Sequence, residues 1–341
     1  MKPVFKQNIS PEQLYPFTSL NEIIDLRLGI LTIKEKWTYA LKVYPHMQID
    51  VDIPDNLIPD IDLFTRLLDT PLSSLLNDLN LKFLLYPWDL FKYNIISITS
   101  DFKLLSQDRS SADFQSAYSS QKKDNIFIEK DATVQALFLD ASEGPIYIGR
   151  EANIMPGSIL KGPISIGNNA VVKMGTCIYQ GTSIGPYCTV GGEIKNSNVM
   201  DFSNKAHHGY LGDSVIGKWC NLGAGTSVSN LKNNTSIIRS KNPRTGSEYE
   251  VGQKCGLMMG DFSKSSINSS FNSGSMVGIC ANVLHSGVLL PKFIPDFSWG
   301  DSNDTRYEIK KLIIDITKWM ALKRIEPDKQ LIENIMKEYN K

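Results

Sequence analysis

The chain has 341 residues with 36 basic and 36 acidic side chains, so its net charge of zero gives no electrostatic footprint for nucleic acid or an anionic membrane. No apolar run reaches the length of a membrane span, and Met1–Phe17 lacks the apolar stretch of a signal peptide. The five cysteines form no CxxC pair and stand at no ligand spacing with the four histidines, which argues against zinc and for a reduced, cytoplasmic setting.

Residues 1–105 read as a mixed α/β unit. Leu26–Lys36 and Lys92–Ile98 carry β-branched and aliphatic runs, and Asn56–Asn80 mixes proline with leucine-rich helical stretches. The first 28 residues contain no glycine, so they cannot readily build a backbone nest for nucleotide phosphates. The Asp-rich run from Asp50 to Asp62 reads as a solvated loop rather than a metal site. Residues 106–124 are Ser-rich, polar and aperiodic, as a linker is.

From 125 to 299 the chain keeps a different period. Ile148, Ile154, Leu160, Ile166, Val172, Ile178, Ile184 and Val190 stand six apart without a break. A period of six fits neither a helix nor a plain strand, but it suits a chain that turns a corner every six residues. Three hexads then make one triangular coil, and stacked coils bury a continuous aliphatic axis: a parallel β-helix. The frame begins at Ile128 and Val134 and is interrupted around Leu137–Pro145, over Glu193–Tyr210 and over Lys232–Lys254. It resumes at Ile216, Leu222 and Val228, and again at Met259, Ser265, Phe271, Val277, Val283 and Leu289. In 300–341, Ile309, Leu312, Ile313, Ile316 and Met320 mark one amphipathic helix, and Pro327 opens a second. These helices are expected to cap one end of the solenoid and the N-terminal unit the other.

A β-helix spends its repeats on stability, so chemistry is sought at the interruptions. The stretch Lys205-Ala206-His207-His208-Gly209-Tyr210-Leu211-Gly212-Asp213 carries two of the four histidines, and Asn221-Leu222-Gly223-Ala224-Gly225-Thr226 follows. Imidazole, with a pKa near ~6.5, suits the removal of a proton from an attacking amine at neutral pH.

These residues resemble the KxxH…YxGDxxIG…NxGAGT stretch of the bifunctional bacterial enzymes that acetylate glucosamine-1-phosphate and then uridylylate the product. LYPFTSLNEIIDLRLGILTIKEKW, YPWDLFKYN and FIPDFSWG extend the resemblance to a Bacteroidetes group in which the nucleotidyltransferase half is shortened and altered. The resemblance implies a left-handed β-helix, a homotrimer with sites between chains, and acetyl-CoA as donor. It implies a base at His207, or at His208 if the loop is counted forward from Lys205. It places Lys195 and Tyr210 on a sugar phosphate, Asn221 on the sugar, and Ala224 and Asn230 along the CoA groove, with an N–H near Ala224 as an oxyanion donor. Two departures stand out. Asn234, Thr235 and Ser236 occupy the neighbourhood of an expected CoA-site lysine, and Asp261 replaces a serine. Arg239, Lys241, Arg244 and Lys264 are the substitute cations. The N-terminal unit reads as a nucleotidyltransferase relic without transfer activity. Two further readings stay open: a sugar-1-phosphate nucleotidyltransferase, and a non-catalytic sugar-nucleotide-binding scaffold.

Overall fold

The computed structural model describes residues 2–113, 119–284, 289–300 and 305–341. The middle of the expected linker, 114–118, lies outside the described residues. Among the described residues between Ser119 and Ile294 the chain forms a parallel β-helix whose short strands stack into three sheets of six, nine and eight strands. Register follows the hexad. On the nine-stranded sheet Ile148 pairs with Ile166 and Ile166 with Ile184, so one coil takes 18 residues. Ile154, Val172 and Val190 line up on the eight-stranded sheet, and Leu160 and Ile178 on the six-stranded one. None of these eight side chains is more than 1% exposed. Burial of each contributes about 1.5–3 kcal/mol, and the stack repeats that gain coil after coil.

The interruption expected over Glu193–Tyr210 is not one. Ile194, Val199, Leu211 and Ile216 continue the buried column, and Lys205 pairs in register with Val190 at an inward position. The corners are simply shorter there, so the phase slips, and a lysine replaces the aliphatic residue that would have marked the frame. At the end of the solenoid Leu290 is buried and Leu289 is half exposed, one place off the expected frame. Leu139 fills the column inside the first interruption. Lys232–Lys254 does leave the coil, and within it Ile238–Lys241 and Glu248–Gly252 form an antiparallel hairpin.

One edge of the prism turns through residues with φ of +54° to +66°: Glu151, Asn169, Tyr187, Phe202, Trp219, Phe262, Cys280 and Phe297. This left-handed region costs a side chain of this kind about 1–2 kcal/mol. The offset is visible at the aromatic members. Tyr187, Phe202, Trp219 and Phe262 stack down the edge with ring centroids 5.1, 4.3 and 6.2 Å apart. Helix Ile309–Ala321 buries Leu312, Ile316 and Met320 against Trp219 and Phe262, and Trp319 donates its indole N–H to the Trp219 carbonyl at 3.1 Å. Helix Lys329–Tyr339 adds Ile335 to the same cluster. The C-terminal helices, expected as an end cap, therefore lie along the flank of the solenoid, from Tyr187 to Phe297.

The N-terminal unit mixes helix and strand as expected, and among the described residues its sheets are two-stranded pairs with two residues per strand. Its apolar residues build a core of their own, from Leu14 to Leu104, which Met200, Val215, Met258 and Met276 of the solenoid join. The β-branched run at Lys92–Ile98 is largely helical, opening Asn94–Ser106. Contact with the solenoid overrides strand propensity there, because Asn94 accepts from Ser183 Oγ at 3.1 Å and donates to the Gly181 carbonyl at 2.8 Å. The helix Ile33–Val43 starts on a capping box of Thr32 and Glu35.

Residues 15–27 form a strap against the coil order. Tyr15 Oη donates to Asp296 at 2.8 Å, Asn21 Nδ2 donates to Asp261 at 2.7 Å, and Arg27 grips Asp201 with two N–H groups at 2.7 and 3.1 Å. The three carboxylates occupy equivalent corners on every second coil, each two residues after an inward residue of the nine-stranded sheet, with the coils of Ile216 and Val277 between them. Tyr15, Asn21 and Arg27 stand six apart, so each six residues of the strap step past two coils.

Candidate active site

His207 and His208 stand at the corner between strands Asn204–Lys205 and Tyr210–Gly212, both exposed. The corner is packed tightly on its neighbours. Gly209 has φ +122°, and a Cβ there would lie 2.0 Å from the Thr226 carbonyl oxygen, so only glycine fits. The Gly225 N–H donates to the His208 carbonyl at 3.2 Å. The Lys205 ammonium donates to the His207 carbonyl and, at 3.0 Å, to the Gly191 carbonyl. The backbone beneath both histidines is tied, while the imidazoles face solvent. Beside them runs a groove of about 380 Å³ lined by Met155, Lys173, Met174, Gly191 and both histidines. Lys173 was not singled out by sequence. Only the stacking of coils brings it near a histidine more than thirty positions away.

Tyr210 opens the next strand. Its ring folds over Gly212, where a Cβ would sit 2.3 Å from the phenolic oxygen. Asn230 Nδ2 donates to Tyr210 Oη at 3.1 Å and also to the Asp213 carboxylate, whose other oxygen accepts from Asn196 Nδ2 at 2.6 Å. Lys195 is paired opposite Gly212, and its carbonyl accepts from the Asp213 N–H at 3.1 Å. Asp213 is therefore joined to Asn230 directly and to Tyr210 through Asn230, while Lys195 neighbours it through the backbone. Sequence reasoning quoted Asp213 in its motif but gave it no role. Burial, then the charges of Asp213 and Glu193, push the Tyr210 phenol up to about 12, so at neutral pH it is an un-ionised O–H.

Ala224 lies on the corner stacked next to the histidines, its carbonyl accepting from Asn268 at 2.6 Å. Asn221 lies apart, on the eight-stranded sheet in register with Asn204 and Lys264. Three of the four expected phosphate cations are engaged elsewhere. Arg244 bridges Asp296 and Glu338 at 2.7 and 3.1 Å, Lys264 sits over the Trp319 ring, and Arg239 pairs with Glu250 at 2.8 Å. Lys241 is exposed on the hairpin. Asp261 is buried in the strap interface, where it accepts from Asn21 and from the Lys218 N–H. Among the described residues no three His, Cys, Asp or Glu side chains are grouped to hold a metal ion, and no helix is long and apolar enough to cross a membrane.

No family model matches the chain. Among curated proteins it is similar to bifunctional protein GlmU of Methanocaldococcus jannaschii, with 32% identity over 103 residues, 30% of this chain and 24% of that one. It is also similar to bifunctional protein GlmU of Cyanothece sp., with 27% identity over 190 residues, 51% of this chain and 37% of that one. The chain thus spans well under half the length of these relatives. A solved structure of UDP-N-acetylglucosamine acyltransferase from Francisella novicida aligns over 64% of this chain and 90% of its own at 15% identity, with a TM-score of 0.23, too loose to argue from. The chain is a parallel β-helix protein similar over part of its length to bifunctional GlmU proteins.

Proposed function

We propose that the chain transfers an acetyl group from acetyl-CoA to the amine of an amino sugar phosphate or a nucleotide-linked amino sugar. The observation that carries this reading is the exposed histidine corner, held rigid from beneath, beside a groove and one strand from the Lys195–Tyr210–Asn230 cluster. The nitrogen–carbon bond forms as the carbon–sulfur bond breaks and CoA leaves as the thiolate. An imidazole takes the amine's proton. His207 is the proposed base, with His208 as the alternative. Lys195 meets the acceptor phosphate, the un-ionised Tyr210 donates to it, and Ala224 and Asn230 border the acyl donor. Lys173 supplies a cation for phosphate at the groove.

Asn221 belongs to the proposal only through a homotrimer. It lies on a different face of the prism from Lys195 and Tyr210, so it would complete the site of a neighbouring chain.

The test is thiol release from acetyl-CoA with a panel of amino sugar phosphates and nucleotide-linked amino sugars. His207→Ala is expected to lose about 10²–10⁴-fold in kcat, the worth of a general base, and His208→Ala under about tenfold. Unchanged rates in both would remove the histidines from the reaction. One observation favours the scaffold reading: Arg239, Arg244 and Lys264 are engaged within the protein. Failure to bind acetyl-CoA at millimolar concentration in a calorimetric titration, with sugar-nucleotide binding retained, would select that reading. Nucleotidyl transfer is disfavoured by a strap whose Tyr15, Asn21 and Arg27 are bound to solenoid carboxylates. Pyrophosphate release from UTP with a sugar phosphate would overturn this part.

A further inference from the structure

We infer that Lys205 is a positioning residue for the histidine corner, an ammonium set inside the aliphatic column that fixes the His207 peptide from within. The inference rests on reading that corner as the acyl-transfer site.

At the other aliphatic places of the hexad frame, from Ile148 to Val228, the buried residue is always Ile, Leu or Val. Lys205 alone breaks the series, at 2% exposure, with Val190 beside it in register on one coil and Leu222 on the next. An aliphatic side chain would fill the place without desolvating an amine, so packing alone gives no reason for a lysine. The direction of its hydrogen bonds does. Among the described residues Nζ meets no carboxylate. It donates to two carbonyls, Gly191 and His207, on successive corners of the edge that borders the groove. Lys205 therefore staples the histidine corner to the corner before it, as the Gly225 N–H staples His208 to the corner after it. Without the amine, two carbonyls inside a close-packed corner lose their donor, and the His207 peptide is free to rotate toward water. A base displaced by about 1 Å forfeits on the order of 10²-fold in rate.

The experiment uses the full chain labelled with ¹³C-histidine, in which only four imidazoles report. His207→Ala and His208→Ala assign their signals. Lys205→Met keeps length and adds no charge, and Lys205→Gln keeps an N–H donor. In Lys205→Met the His207 ring signals are expected to shift and broaden while those of His46 stay. The kcat for acetyl transfer is expected to fall about 10–100-fold with KM for acetyl-CoA within about twofold. Lys205→Gln should recover part of both effects, and it carries the same readouts if the methionine variant does not fold. His207 signals and kcat that stay at wild-type values in a folded Lys205→Met protein would make the lysine a core filler and overturn the inference. If no acetyl transfer is found even in the wild type, the signals decide alone. A moved His207 upholds the positioning and sinks only the acyl-transfer reading, whereas an unmoved one sinks the inference.

Discussion

Lys205 faces the axis of the β-helix and settles its charge on two backbone carbonyls. Burial pushes Lys205 down to about 8 from its ordinary 10.5. The unfolded chain keeps the ordinary value. Between those two pH values, the unfolded state therefore binds a proton that the native state has released, and stability rises with pH across that window. Below about pH 8 both states are protonated and the full cost of burying the charge is felt. The unfolding midpoint of the wild type, relative to Lys205→Met, should therefore climb between pH 8 and 10, and a flat difference would mean that the amine is solvated. Asp213 poses the opposite problem, a carboxylate whose oxygens hold two side-chain amides. Asp213→Ala releases the amides of Asn196 and Asn230 and, through Asn230, loosens Tyr210, at a cost of about 0.5–1.5 kcal/mol for each hydrogen bond lost. Calorimetry should show a lower midpoint, and KM should rise both for acetyl-CoA, which Asn230 borders, and for the sugar acceptor, which Tyr210 meets. Both residues show why the site was only half legible. The motif announced the histidines and Tyr210, whose chemistry is local, but the duties of Lys205 and Asp213 depend on which coil lies beside them.

At the scale of elements the hexad was legible wherever the corners were regular, because one aliphatic residue per six residues is all the axis requires. It failed from Val190 to Ile216, where shorter corners changed the phase and a lysine took an inward place. The N-terminal strap was less legible still. Nothing local in Leu14–Leu28 says that its polar residues will meet a column of carboxylates hundreds of positions away. Its strongest joint is Arg27, whose guanidinium holds the Asp201 carboxyl below its usual range even though burial works the other way. Arg27→Met should leave Asp201 unpaired at the interface and cost about 3–5 kcal/mol, whereas the double variant with Asp201→Leu should regain most of that loss. Hydrogen exchange locates the effect. Amides of 15–43 should lose protection in Arg27→Met, while those of Ile148–Val172 keep theirs. Equal loss in both would mean that the strap and the distant coils open together.

For the whole molecule, the flanking helices answer a difficulty that the solenoid itself creates. Each coil turns one edge through the left-handed region, and where Tyr187, Phe202, Trp219 and Phe262 make that turn they build a broad aromatic stripe. Uncovered, such a stripe is a site for association with other molecules. The helix Ile309–Ala321 covers it with Leu312, Ile316 and Met320, and Lys323 beyond its end reaches the Tyr187 carbonyl. A helix that only capped the last coil would protect only that coil. A helix lying along the flank ties together coils that are far apart in sequence. Ile316→Asp places a charge in the middle of this contact, and it should release both helices, since Ile335 of the second shares the cluster. Protection from exchange is then expected to fall at Tyr187–Trp219, roughly a hundred residues before the substitution, and the protein should bind a hydrophobic dye and sediment as larger species. Loss confined to 289–341 would show instead that the stripe is self-sufficient and the helices serve the end of the solenoid. Because the histidine corner lies on a different edge of the same coils, its groove should survive the substitution at low protein concentration, separating the brace from the site.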